Sequence, residues 1–510
     1  MVPPEVVPAD STSGVAGADI IALPVLPGNE ADASGAGPGL TLGSGSAPII
    51  EALDTDLRAL LAHHRATGKA GEIVEHVVLP GACPTLPDVR SVLLVGVGSG
   101  TPADFRRAGA ALARKGKGGV RAVTTIAEEA DEEALAAFAE GLVLGSFGFD
   151  RKSVPPTLLP LQQVLLTGVP AARQSALDRA LARGRAAWQA RTLALVPSNE
   201  KNPEWLAERA REVATEAGLR VQIWHERQLA AEGFGGIVGV GQGSDSPPRL
   251  VRLDYSPAKA SRRTPHVVLV GKGITFDTGG YSIKPADGMA TMKRDMTGAG
   301  VVMSVLGALR DVGCRVKVTA LLACAENSVS GHALRPGDVV RHYGGRTSEV
   351  TNTDAEGRLV MADALAYAVR EIKPRAMVDV ATLTGAMKVA LGQRTGGFFA
   401  NDEALAQALR TASDASGEAL WRMPLVADYE ERLDSTIADA DNAAGGPGAI
   451  TAALFLQHFT GNVPWAHLDI ASVGDSPVDA YEWTPGATGF GARVLLHWLG
   501  TPEPLAGVRR

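Results

Sequence analysis

From residue 203 to residue 510, apolar runs of strand length alternate with amphipathic segments of helical period. This alternation restricts the fold more than any other feature of the chain. Residues 266–270, 316–323, 376–382 and 465–470 read as strands, and residues 295–309 and 356–371 carry helical spacing between them. Strands linked through crossover helices run parallel, and a parallel sheet needs cover on both faces. The expected fold is α/β in two domains: a C-terminal domain with a largely parallel central sheet flanked by helices, and a smaller α/β N-terminal domain. In such sheets ligands gather beyond the C-terminal strand ends, so chemistry is sought there.

At 510 residues the chain exceeds one ordinary core. Residues 1–17 are rich in Pro, Ser, Gly and Ala without period, and a disordered tail is expected. Residues 18–172 are assigned to the N-terminal domain, 173–202 to a linking helix and 203–510 to the larger domain. A strand-like run begins at Asp19, and the Gly/Ala/Ser stretch 28–48 reads as loop. The run S-V-L-L-V-G-V-G at 91–98 leads into a helix from Pro102, but G-V-G-S-G lacks the full dinucleotide-binding fingerprint. The composition, 45% hydrophobic and 21% charged, is that of a soluble globular protein. Net charge is −7 with no lysine/arginine block, which argues against a nucleic-acid partner. The start M-V-P-P-E-V-V-P has neither a basic nor an apolar signal region, and no apolar run approaches the ~18 residues of a membrane span. Cys83, Cys314 and Cys324 show no paired spacing, so a reduced, cytoplasmic protein is expected.

Two clusters carry chemistry. After strand 266–270 come G-K-G-I-T-F-D-T-G-G-Y-S-I-K-P and M-K-R-D-M-T-G-A-G, in which Lys272, Asp277, Lys284 and Asp295 punctuate glycine and apolar groups. The glycines let backbone bend into a site-building loop, and Asp295 is expected to open a helix, whose dipole favours a carboxylate. The second cluster, N-T-D-A-E-G-R-L at 352–359, places Asp354, Glu356 and Arg358 at every second position. In extended backbone such side chains share a face. A cation would explain the acids, and an anion the arginine.

Taken singly, each residue is an ordinary loop charge. A phosphate loop is excluded at G-K-G, because His266 stands where a glycine is required and Gly273 follows the lysine. A calcium loop over Asn352, Asp354, Glu356, Gly357 and Asp363 has Asn at its first position, Asp at its last, and no entering helix. The reading that uses both clusters is a two-metal site. Carboxylates holding two divalent cations ~3.5–4 Å apart activate water and clamp a carbonyl oxygen, which suits amide hydrolysis. No histidine lies in either cluster, and an oxygen-rich shell accepts Mn, Mg or Zn. A lysine among acids either ligates as a neutral amine or stays charged and stabilises an oxyanion.

These motifs resemble the leucyl aminopeptidase family, the cytosolic M17-type metallopeptidases, whose signature N-T-D-A-E-G-R-L stands unchanged. The spacings agree: from Lys272 to Asp277, Lys284 and Asp295 they are five, twelve and twenty-three, and Asp295 to Asp354 is fifty-nine. Further support comes from G-V-G-Q-G-S at 239–244, R-P-G-D at 335–338, D-V-A-T-L-T-G-A at 379–386, A-I-T-A-A-L-F-L at 449–456, W-A-H-L-D-I-A at 465–471 and G-A-T-G-F-G at 486–491. The resemblance is strong over roughly residues 195–500 and weak over the N-terminal third.

The resemblance implies an aminopeptidase with two divalent metal ions per chain, Mn or Zn foremost and Mg or Co as alternatives. It implies that Lys272 (neutral), Asp277, Asp295 and Glu356 hold one metal, while Asp277, Asp354 and Glu356 hold a more exchangeable second. Lys284 would stay protonated to stabilise the tetrahedral species, and Arg358 would grip a bicarbonate that relays the proton. Met292, Thr382, Gly385 and Ala471 would line the pocket for the first side chain. A homohexamer acting on peptides in the cytoplasm is implied. Tyr281 and Gly300 depart from the family's usual residues, and Gly474 stands where some members carry a bulkier one, which leaves specificity open. A catalytically dead scaffold is disfavoured because every ligand is present, and a DNA-binding role by the acidic balance. A Cys-Gly dipeptidase remains a variant of the first reading.

Overall fold

The computed structural model describes residues 1–9, 17–28, 39–443 and 445–509. Parts of the expected tail (10–16) and of the expected loop (29–38) lie outside the described residues. The chain forms two compact units, Met1–Trp188 with Pro477–Pro485, and Gln189–Ser476 with Gly486–Arg510. A helix, Gln174–Leu195, runs where a linking helix was expected, and the division falls inside it.

The first unit is built on strands β1 (Glu5–Ala9), β2 (Ile20–Leu26), β3 (Thr41–Leu42), β4 (Ile73–Val77), β5 (Ser91–Gly96), β6 (Arg121–Thr124) and β7 (Gln163–Thr167). Their order is β1-β7-β6-β2-β5-β4, with β3 beside β2. Strand β1 corrects the expectation of a disordered tail: Glu5 to Ala9 pair in parallel with Gln163 to Thr167. Val6 supplies the buried anchor that composition alone concealed. Pro8 is tolerated because β1 is an edge strand. Thr41–Leu42 likewise pairs with β2 inside the stretch read as loop.

The turn after β5 leads into the helix Pro102–Lys115, which opens with a capping box. Asp104 Oδ2 accepts from the Thr101 hydroxyl at 2.8 Å, and the Asp104 N–H donates back to Thr101 Oγ1 at 3.2 Å. The chain's own carboxylate therefore sits where a bound phosphate would have to sit, which removes the dinucleotide reading.

The second unit continues with β8 (Arg220–Trp224), β9 (Arg249–Tyr255), β10 (His266–Asp277), β11 (Lys317–Asn327), the ribbon β12 (Asp338–Arg341) and β13 (Thr347–Val350), then β14 (Ala376–Ala381), β15 (Gly396–Ala400), β16 (Leu420–Arg422) and β17 (Trp465–Asp469). The main sheet has the order β16-β15-β17-β14-β10-β11-β9-β8. Its centre, β17-β14-β10-β11, is parallel as expected. The flanks add antiparallel pairings, β15 on β17 and β9 between β11 and β8. The strands read from sequence are the central, continuously apolar ones. The flanking β8 (R-V-Q-I-W) mixes polar with apolar residues, and β15 (G-G-F-F-A) opens on two glycines, so both gave weaker patterns.

One boundary moves with consequence. Strand β10 does not stop at Val270 but runs on through Asp277, pairing Gly271, Lys272 and Gly273 with Leu322, Ala323 and Cys324. Lys272 therefore projects from a rigid central strand and not from a loop.

Candidate metal centre

The register of β10 on β11 shifts between Ile274 and Asp277, after which Asp277 pairs with Asn327. Such an irregularity re-aims a side chain at a strand end. Asp277 is fixed there by hydrogen bonds: its Oδ1 accepts from the Gly279 N–H and from Asn327 Nδ2, both at 2.8 Å. Asn327 also donates to the Thr353 carbonyl at 3.0 Å. One amide thus ties the first cluster to the second.

Asp354, Glu356 and Arg358 do not lie along an extended segment. Residues 353–354 form a turn, and Glu356 and Arg358 belong to the helix Glu356–Tyr367. The turn and the first helical turn bring the two acids together, so the every-second-residue rhythm owes nothing to strand geometry. Asp295 lies two residues ahead of the helix Thr297–Ala308, close to the expected position.

The site is a set of carboxylates interleaved with two lysines. Lys272 Nζ lies 2.7 Å from Asp295 Oδ2 and 2.9 Å from Glu356 Oε1, and donates to the Thr382 carbonyl at 3.2 Å. Lys284 Nζ pairs with Asp277 Oδ2 at 2.9 Å and with Asp354 at very short range. Lys272, Asp277, Asp295 and Glu356 are all at most 5% exposed. Burial alone would lower the Lys272 ammonium, but Asp295, Glu356 and Asp277 carry it well above the usual lysine range. Lys284 behaves likewise, with Asp277 and Glu356 overriding burial. Burial pushes Glu356 up, and the Asp277 charge adds to it; burial also raises Asp295 against the pull of Lys272. Two cations hold four acids in place, and the acids keep the lysines protonated.

A close approach makes this possible. A Cβ on Gly357 would stand 2.4 Å from Lys272 Cε, so only glycine at this point of the helix leaves the lysine its channel. Arg358 is buried as well and donates to the Asn442 carbonyl at 2.6 Å. Burial lowers its guanidinium to about 10 even though Glu356, Asp469 and Asp441 counteract it.

Of the residues expected to line a substrate pocket, Thr382 and Met292 touch this cluster through Asp295. The Thr382 hydroxyl donates to Asp295 Oδ1 at 2.7 Å. Met292 begins the short turn whose carbonyl receives the Asp295 N–H at 3.2 Å. Gly385 is exposed at the start of the helix Gly385–Leu391, and Ala471 follows β17. A Cβ on Gly474 would be 3.5 Å from the Thr382 methyl, which places the missing side chain against the same wall.

Three organising residues escaped the sequence reading. Asn327 is one. Asn442 accepts from the Thr351 and Asn352 N–H groups at 3.0 and 3.2 Å and donates to the Asn352 carbonyl at 2.8 Å, bracing the turn that carries Asp354. Asp469 binds the backbone of the segments that follow β14 and β17. They are uncharged amides or a lone acid in apolar runs, and only the fold brings them to the site.

The donor set fits divalent cations. Asp277, Asp354 and Glu356 each bring one oxygen into a group whose members lie within 4.8 Å of one another. Glu356 Oε2 is buried with no hydrogen-bond partner among the described residues, while Oε1 faces Lys272 at 2.9 Å. A buried carboxylate oxygen without a donor is costly, and a cation satisfies it.

Fold and site together define a class: an α/β protein with a carboxylate-and-lysine centre at the C-terminal ends of its parallel strands. Comparison with known proteins gives the family. Residues 188–496 match the catalytic domain of the cytosol aminopeptidase family and residues 39–155 its N-terminal domain. A probable cytosol aminopeptidase of Roseiflexus castenholzii is 42% identical over 475 residues, covering 88% of this chain and 94% of the relative. One from Streptomyces griseus is 42% identical over 487 residues, covering 90% and 92%. Among solved structures, the bottromycin maturation enzyme BotP in complex with Mn superposes with a TM-score of 0.81 at 36% identity, covering 95% of this chain and 99% of that one. A mutant of tomato leucine aminopeptidase gives 0.83 at 31% identity, covering 98% and 97%. The chain belongs to the cytosol aminopeptidase family and is a metal-dependent aminopeptidase.

Proposed function

We propose that the chain hydrolyses the N-terminal peptide bond of peptides, with a preference for apolar first residues such as leucine. The observation that carries this reading is the convergence of Asp277, Asp354 and Glu356 around a buried, unpartnered oxygen, with Lys272 and Lys284 set among them. In this reading Lys272, Asp277, Asp295 and Glu356 hold one divalent ion, and Asp277, Asp354 and Glu356 hold a second. Mn or Zn would serve, with Mg or Co as alternatives; similarity to an enzyme solved with Mn supports the first. Bound ions of this kind lower the pKa of water and polarise a carbonyl oxygen.

The chain's own residues supply the rest. Lys272 would hold an ion as the neutral amine, since a cation among Asp277, Asp295 and Glu356 would take over the charge that the ammonium balances here. Lys284 keeps its proton, because it is only partly buried and borders two acids, and it stabilises negative charge developing on the substrate carbonyl oxygen. Arg358, held at one nitrogen by Asn442, keeps further donors that would hold a bicarbonate, a group whose chemistry when bound would be proton relay. Met292, Thr382, Gly385 and Ala471 line the pocket for the first side chain, widened at Gly474. The protein works as a homohexamer in the cytoplasm, without nucleic acid. The relatives are named cytosol aminopeptidases, and among the described residues no helix is long and apolar enough to cross a membrane.

Hydrolysis of leucine p-nitroanilide by metal-stripped protein, titrated with Mn, Zn, Mg and Co, tests the activity. Full activity at about two ions per chain is the expected result. Silence with every metal, despite bound ions, refutes the leucine preference and turns attention to Cys-Gly and other dipeptides. Sizing in solution that finds only monomer or dimer removes the hexamer.

A further inference from the structure

Asp469 ends β17, is wholly buried, and spends its carboxylate on backbone at the edge of the site. Its Oδ1 accepts from the Leu383 N–H at 3.2 Å and the Ala471 N–H at 3.1 Å. Its Oδ2 accepts from the Thr384 N–H at 3.2 Å and the Thr384 hydroxyl at 2.6 Å. No lysine or arginine pairs with it directly among the described residues; four neutral donors from two segments satisfy it instead. Those segments are the ones that leave β14 and β17, whose ends already meet through the Ile470 N–H donating to the Ala381 carbonyl at 2.8 Å.

We propose that Asp469 is a positioning residue that sets the width of the pocket for the first side chain. This role rests on Met292, Thr382, Gly385 and Ala471 lining that pocket, as in the proposed function. Leu383 and Thr384 stand between Thr382 and Gly385, and Ala471 stands opposite on the segment after β17. One carboxylate therefore holds Ala471 directly and tethers Thr382 and Gly385 through the two residues between them. Thr382 is in turn bonded to Asp295, so the clamp also registers the pocket wall against the metal centre. These segments are only half-buried, and Asp469 is the acceptor that orders their N–H groups, so its loss leaves them freer to move. A wall that moves discriminates poorly between side chains that differ by a few methylenes, where a well-formed pocket separates them 10- to 200-fold.

The experiment compares leucine and alanine p-nitroanilides on metal-loaded wild type, Asp469→Asn and Thr384→Val, with ion content measured alongside. Asp469→Asn turns an acceptor into a donor facing N–H groups, and Thr384→Val removes only the hydroxyl bond. The clamp predicts that the leucine-to-alanine ratio of kcat/KM falls about tenfold in Asp469→Asn, mainly through KM, and about twofold in Thr384→Val, with ions retained. The Asp469 charge also acts on Arg358, but that influence is the same for both substrates and leaves the ratio unchanged. A ratio unchanged in both variants overturns the proposal, as does a uniform loss that follows loss of the ions. If Asp469→Asn does not fold, Thr384→Val alone decides on the same ratio. A wild type with no preference for leucine refutes the pocket assignment itself, whatever Asp469 does.

Discussion

Two glycine-punctuated strand ends, one in each unit, began from similar grammar and came to opposite uses. After β5 the chain reads G-V-G-S-G-T-P-A-D, and after Val270 it reads G-K-G-I-T-F-D-T-G-G. In the first, Gly98 and Gly100 adopt φ of +54° and +76°, and the turn closes on itself through the Thr101–Asp104 capping box. In the second, the strand persists to Asp277 and the turn comes only at Gly279 and Gly280, with φ of +85° and +60°. The charges then face a shared interior and not their own helix N-terminus. Glycine permits a site; the partner of each charged group decides whether one forms. Asp104 has a partner three residues away, whereas Asp277 finds Asn327 fifty residues on and Lys284 across a turn.

The comparison is broken most severely by Asp277→Ala, which removes the acid shared by both proposed ions. Activity is expected to fall to background and ion content to near zero, measured by kinetics and elemental analysis. Lys284→Ala should keep the ions but lower kcat about 10²- to 10³-fold, the usual cost of losing an oxyanion donor. Full kcat in that variant contradicts the role given to Lys284. Gly357→Ala forces a Cβ against Lys272 Cε and should weaken metal affinity about 10- to 100-fold, read by titration of the apoprotein. Thr101→Ala, at the other strand end, should lower stability by about 1 kcal/mol through loss of the cap and leave leucine p-nitroanilide kinetics unchanged. Thermal unfolding and kinetics on the same sample check both halves of that statement.

Much of this was readable from the chain because the central strands are buried on both faces and write themselves as unbroken apolar runs. Charges in such surroundings stand out, so Lys272 and Asp277 could be named without a structure, and the glycine-rich loop that follows drew attention to Lys284 and Asp295. Residues whose work depends on contacts distant in sequence could not. Asn327 and Asn442 are amides in unremarkable contexts, and Asp469 reads as a strand-end acid until Leu383 and Thr384 arrive beside it. Strand β1 was missed for a related reason. The five residues E-V-V-P-A, inside a stretch rich in proline and small groups, become a strand only because β7 presents a free edge to them. The alternation of Asp354, Glu356 and Arg358 suggested one extended face, whereas a turn followed by a helix brings the two acids together and sends Arg358 to the Asn442 carbonyl.

The central claim is that Asp277 and Glu356 are shared by two ions while Asp354 serves only one. Counting ions per chain by native mass spectrometry, in wild type and in Asp354→Ala at saturating Mn, tests it most directly. The account predicts two ions in wild type and one in Asp354→Ala. Two ions retained in Asp354→Ala, or one in wild type, would contradict it.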